Sequence, residues 1–137
     1  MPYIMKYAHI VWATKYRHAC ITPSIETVIL DAIQAKSKEL RSPIHAINTA
    51  YDHLHVAVTI HSALSDSEWI RQAKAFSSHL VNREFPDLEN RFYWQGSYSY
   101  HSFGHKQLHF VTGYIVNQKQ HHQNNELEEY LEYIPDD

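Results

Sequence analysis

The stretch His53-Leu54-His55-Val56-Ala57-Val58-Thr59-Ile60-His61 alternates large aliphatic residues with small or polar ones almost without interruption. Side chains two apart on a strand share a face, so the spacing predicts a strand that turns Leu54, Val56, Val58 and Ile60 toward a core. A chain with such a strand must build a sheet and cover one side of it. Tyr7–Thr14 reads as a first strand, with Ala8, Ile10 and Trp12 alternating against Tyr7, His9 and Val11. Thr22-Pro23 is a helix start, and Ile25, Val28, Ile29, Ala32, Ile33 and Leu40 follow at helical spacing until Ser42-Pro43. Ile44–Ala50 is a second strand, turning at Asp52 into the third. Ser65 and Glu68, three apart, open another helix with Trp69, Ala73, Phe76 and Leu80 on one stripe, ending near Phe85-Pro86. Phe92–Tyr100 is aromatic and strand-like, and Lys106–His122 reads as a last helix with Leu108, Val111 and Ile115 on its apolar face. The order βαββαβ plus a helix predicts an α+β, ferredoxin-like two-layer sandwich with an antiparallel sheet. The 137 residues fit a single domain, 1–137.

Composition narrows the partners. The longest apolar run, Ile10–Ala13, is far short of the ~20 residues of a membrane helix. The N-terminal segment has no stretch of signal-peptide length, and Cys20 is the only cysteine, so a cytoplasmic protein without internal disulfides is expected. Six of the 15 acids follow residue 125 and none of the 12 Lys and Arg does. A mildly basic body with an acidic tail from Glu126 to Asp137 is compatible with nucleic acid but too weakly cationic for broad, sequence-blind DNA binding. The 12 histidines are the unusual feature, because imidazole is both a metal ligand and an acid–base group.

On the third strand, His53 and His55 share the face away from the aliphatic row, roughly 7 Å apart at Cα, so both rings can turn toward one ion. Two imidazoles make part of a metal site, and a third ligand must come from elsewhere in the fold. His61, at the strand end, reads as an ordinary polar residue. On the last helix Tyr114 and Gln118 are four apart and so stack on one face, with His121 and His122 extending the stripe. A phenol beside an amide oxygen, set against a histidine pair, suits metal-assisted attack on a phosphate, although one tyrosine among 10 at helical spacing also suits simple packing. Gly113 gives the phenol room, gives the helix a hinge, or lets two elements approach.

These residues resemble a known family. His53-Leu54-His55, after Tyr51-Asp52, is similar to the His-hydrophobic-His motif of the HUH nucleases, and Tyr114-Ile115-Val116-Asn117-Gln118 with His121-His122 resembles the nucleophile helix of their single-tyrosine transposases. Val11-Trp12-Ala13-Thr14-Lys15-Tyr16-Arg17 is similar to that family's first strand, and Trp94-Gln95-Gly96-Ser97-Tyr98 to its aromatic strand. The resemblance runs from about Tyr7 to His122.

The resemblance implies a transposase of single-stranded DNA that cleaves and rejoins at hairpin-flanked element ends. Tyr114 would be the nucleophile of a 5′-phosphotyrosine intermediate. His53, His55 and Gln118, with His122 as a further candidate ligand, would hold Mg²⁺ or Mn²⁺. Lys15 and Arg17 would contact phosphate and Tyr16 or Tyr98 would stack an unpaired base. It also implies a homodimer in which one subunit's tyrosine helix can complete the other's site. The acidic tail from Glu126 would repel DNA and is expected to lie away from the bound strand or to pack on the partner subunit. A non-catalytic nucleic-acid-binding module and a domesticated hairpin-processing nuclease fit the same residues.

Overall fold

A computed structural model describes residues 2–124 and 128–136. Of the acidic tail, Glu126 and Asp137 lie outside the described residues. Strands β1 (Lys6–Ala13), β2 (Ile44–Thr49), β3 (His53–Ile60) and β4 (Ser99–Ser102) form one antiparallel sheet in the order β2-β3-β1-β4. With helices α1 (Pro23–Glu39) and α2 (Asp66–Glu84) between the strands, this is the ferredoxin-like sandwich that the element order predicts. β1 and β3 pair along their whole length, from Lys6 opposite Ile60 to Ala13 opposite His53.

The helices start where the caps say they should. The Thr22 hydroxyl accepts a hydrogen bond from the Ile25 N–H and the Ser65 hydroxyl one from the Glu68 N–H at 3.1 Å, each satisfying an otherwise orphaned donor. Ala8, Ile10 and Trp12 of β1 meet Leu54, Val56, Val58 and Ile60 of β3 on one sheet face, under Ile25, Ile29 and Ile33 of α1 and Trp69, Ile70 and Ala73 of α2. The buried row of α2 continues through Ser77 and Val81, whereas the expected Phe76 and Leu80 are half-buried at its edge. Ser37 and Ser77 earn their burial by accepting the indole N–H groups of Trp69 (3.0 Å) and Trp94 (2.9 Å).

The opposite face of the sheet is also covered, so every residue of β3 is buried. Val111 and Ile115 of α3 (Leu108–Val116) pack on Ala46 and Ala57, and Ile134 packs on Val11 and Ala13. Two elements differ from expectation. The aromatic segment Phe92–Tyr100 is not one strand: only Trp94 bridges to Thr14, and regular pairing begins at Ser99. The side chain of Asn82 takes both backbone groups of Phe92, donating to its carbonyl at 2.9 Å and accepting from its N–H at 2.7 Å, which leaves none for a ladder.

The predicted last helix is broken at Asn117 into α3 and α4 (Gln118–Asn124). Asn48 on β2 donates to the carbonyls of Ile115 and Val116, both at 3.2 Å, and so caps α3 from the side. A Cβ added to Gly113 would meet nothing within 4 Å from other elements, so a close approach of another element does not require glycine there. A last short helix, α5 (Glu129–Glu132), follows. Among the described residues no helix is long and apolar enough to cross a membrane.

Candidate active site

β3 delivers both imidazoles to the face under α3 and α4. His53 is 3% exposed and His55 fully buried, and each has a partner at Nδ1: Asp52 Oδ1 at 2.8 Å for His53, and His9 Nε2 at 2.9 Å for His55. Tied this way, both rings turn Nε2 inward. Both Nε2 atoms face Glu132 Oε1, at 3.3 Å from His53 and 3.2 Å from His55, and His122 Nε2 on α4 reaches the same oxygen at 3.2 Å. One ligand atom from each of His53, His55, His122 and Glu132 lies within 4.8 Å of the others.

Tyr114 sits at the edge of this cluster, 5% exposed. Its hydroxyl donates to Glu132 Oε2 and accepts from the Glu128 N–H at 3.1 Å. Its ring stacks on His121 at 4.7 Å between centroids and meets the His55 ring nearly edge-on at 6.1 Å. Gln118 is fully buried, with its amide nitrogen 3.2 and 3.3 Å from the two Glu132 oxygens and its Oε1 without a partner among the described residues. Exchanging the amide's nearly isosteric nitrogen and oxygen would point an acceptor at the cluster. The break at Asn117 thus does not separate Tyr114 from Gln118: the side chains converge from two helices rather than along one.

The electrostatics follow from burial and one carboxylate. Burial pushes the His55 imidazole down to about 4 against the opposing pull of Glu132, so it is a neutral ring with a lone pair to offer. Burial also opposes charge on His53, but the hydrogen bonds and charges of Asp52 and Glu132 outweigh it and raise its pKa. His122 is lowered by burial and by the neighbouring His53. Burial would raise the Glu132 carboxyl, yet hydrogen bonds from His53 and His55 hold it well below the usual carboxylate range. Tyr114 is driven above its ordinary value, first by burial and then by its hydrogen bond to Glu132.

The residues fit a divalent cation on chemical grounds. Three imidazoles, a carboxylate and an amide oxygen are a ligand set for such an ion; His53 Nε2 and His122 Nε2 face the one Glu132 oxygen, and Gln118 Oε1 is buried with no hydrogen-bond partner among the described residues. Glu132 was hidden in a run of acids, and His9 in the alternation of the first strand. Neither had a sequence spacing that pointed to the site, because each reaches it from a distant element. The acidic tail does not stay away from the site. Leu131 and Ile134 are buried, Gln95 donates to the Pro135 carbonyl at 3.3 Å, and Ser97 donates to the Asp136 carbonyl at 3.2 Å, so the segment straps Glu132 over the tyrosine.

Of the residues expected to touch nucleic acid, Lys15, Tyr16 and Arg17 share one turn after β1, where Tyr16 and Arg17 adopt left-handed φ values of 59° and 57°. Tyr16 is 76% exposed, and Lys15 Nζ lies 5.5 Å from its ring centroid and 5.6 Å from that of Tyr93. With His18, Arg91 and Tyr93, Lys15 and Tyr16 line a cleft of about 440 Å³. Arg17, in the same turn, reaches Asp52 with its Nε at 3.1 Å, and Asp52 in turn holds His53. Tyr98 lies apart, in a neighbouring groove with Lys74 and Gln95.

Known proteins share this fold, and a family model matches the sequence. The chain is similar to a candidate transposase of Deinococcus radiodurans R1, with a TM-score of 0.70 and 21% identity over 86% of this chain and 95% of that one. It is also similar to a REP-associated tyrosine transposase bound to a REP hairpin, with a TM-score of 0.67 and 18% identity over 89% of this chain and 72% of that one. The sequence model of the IS200-like transposases matches residues 3–118, and the chain belongs to that family, as the HUH resemblance implied. No curated protein sequence matches it.

Proposed function

We propose that this transposase cleaves and rejoins single-stranded DNA at hairpins through Tyr114. The observation that carries the reading is the buried convergence of His53, His55 and His122 with the Tyr114 hydroxyl across a single carboxylate. His53 and His55, with Gln118 and His122, are the residues that would hold the ion. Mn²⁺ suits so imidazole-rich a set better than Mg²⁺. A divalent ion there supplies Lewis-acid polarisation of a phosphate oxygen.

The chain's own residues do the rest. The Tyr114 oxygen attacks the phosphorus, the bond to the 3′-oxygen breaks, and the protein is left on the 5′-phosphate. The phenolic proton leaves to water as the phosphate displaces Glu132 from the hydroxyl, while the departing 3′-oxygen takes up a proton to become a free hydroxyl. Lys15 and Arg17 contact phosphates and Tyr16 stacks an unpaired base. The hairpin carried by the similar REP-associated protein supports a hairpin substrate.

We also propose a homodimer, supported by the apolar outer side of α3, where Phe110 and Val116 are exposed. The test is adduct formation on a hairpin oligonucleotide with Mn²⁺. Tyr114→Phe should form no covalent adduct while binding the hairpin normally, and EDTA or His53→Ala should suppress cleavage. Undiminished adduct in Tyr114→Phe, or full cleavage in EDTA, contradicts the reading.

A further inference from the structure

His9 stands in β1 on the same sheet face as His55, 1% exposed, between Tyr7 and Val11. Its Nε2 lies 2.9 Å from His55 Nδ1 and the two rings stack at 5.1 Å between centroids. Only one proton can occupy that hydrogen bond, so the pair has two arrangements. If His9 donates, His55 carries its proton on Nε2, gives it to Glu132 Oε1 at 3.2 Å and has no lone pair to offer an ion. If His55 donates, its Nε2 lone pair faces the cluster and His9 carries its own proton on Nδ1. Moving between the two relocates protons within the pair and releases none.

We infer that His9 is a positioning residue, the acceptor that holds His55 as the Nδ1–H tautomer when a metal ion binds. The inference deepens the metal reading above and rests on it. Two observations support it. His53 has the same arrangement, with Asp52 as the acceptor at Nδ1, so each imidazole of the pair has a dedicated partner behind it. A packing role on this buried face would be filled equally by an aliphatic residue such as Val11 or Ala57 beside it, whereas the imidazole sets a ring nitrogen against His55 Nδ1.

Two measurements test this. In long-range ¹H–¹⁵N correlation spectra of the wild-type protein titrated with Zn²⁺ as a diamagnetic probe, His55 should carry its proton on Nδ1. Finding it on Nε2 in the loaded protein would overturn the assignment, and this readout needs no variant. In Mn²⁺ titration calorimetry without DNA, His9→Phe should weaken binding about 10–100-fold, and His9→Gln, whose amide oxygen can accept from His55, should restore most of it. Equal Mn²⁺ affinity in wild type and His9→Phe overturns the role of His9 alone. No Mn²⁺ binding by the wild type overturns the metal reading with it.

Discussion

At the scale of single residues, Glu132 and Tyr114 oppose each other. The carboxylate takes the phenol's hydrogen bond and so raises the cost of making the phenolate, while standing where a scissile phosphate would have to approach. Replacing Glu132 by Gln should lower the Tyr114 pKa toward the ordinary tyrosine value, seen as an earlier rise of tyrosinate absorbance in an alkaline titration compared with Tyr114→Phe. An unchanged titration would show that burial alone sets the shift. The buried imidazoles make a second prediction. His9 and His55 have folded-state pKa values of about 3 and about 4, below the 6.5 of free histidine. Between pH 6.5 and 4 the unfolded chain therefore binds more protons than the folded one, and stability falls as pH falls. The raised His53 acts above pH 6.5 instead, where its contribution is lost as pH rises, so it leaves this window to His9 and His55. Thermal midpoints should drop across that window, and a flat or rising midpoint contradicts the assignment of neutral, buried rings.

At the scale of elements, the regular strands and capped helices were legible and the side-chain clamps were not. Period-two alternation placed Leu54, Val56, Val58 and Ile60 on the core face and His53 and His55 on the other, because a strand's geometry leaves no third choice. The Thr22 and Ser65 starts were legible because capping is local. The aromatic strand and the unbroken last helix were misread because Asn82 and Asn48, distant in sequence, take the backbone groups that those elements would need. Asn48→Ala should cost about 1 kcal/mol of stability and weaken Mn²⁺ binding as Gln118 and His122 lose their fixed approach. Denaturant melts with parallel metal titration decide it, and full metal affinity would show that α4 is placed by other contacts. The strap of residues 128–136 was illegible for a related reason, since a run of acids reads as a solvated tail until Leu131 and Ile134 are seen buried. Truncation after residue 127 should raise the rate of adduct formation, because the carboxylate no longer competes with phosphate. A fall in rate would make Glu132 a participant instead.

For the whole molecule, the sheet divides the work. One face is a conventional core, and Leu54→Ala there should cost about 2–5 kcal/mol in a denaturant melt. The other face is a thin, polar-lined layer in which four elements each contribute to the histidine cluster: β1 through His9, β3 through its pair, α4 through His122 and α5 through Glu132. The basic turn at Lys15–Arg17 sits at the same end, joined to the cluster by Asp52. In the proposed function, Lys15 and Arg17 would contact the DNA backbone at this end. The central claim is that this tyrosine, and no other of the 10, forms the covalent bond. Tandem mass spectrometry of the proteolysed adduct formed with a hairpin oligonucleotide and Mn²⁺ tests it most directly. The account predicts a nucleotide-bearing peptide modified at Tyr114, and a modification at any other residue, or none at all, would contradict it.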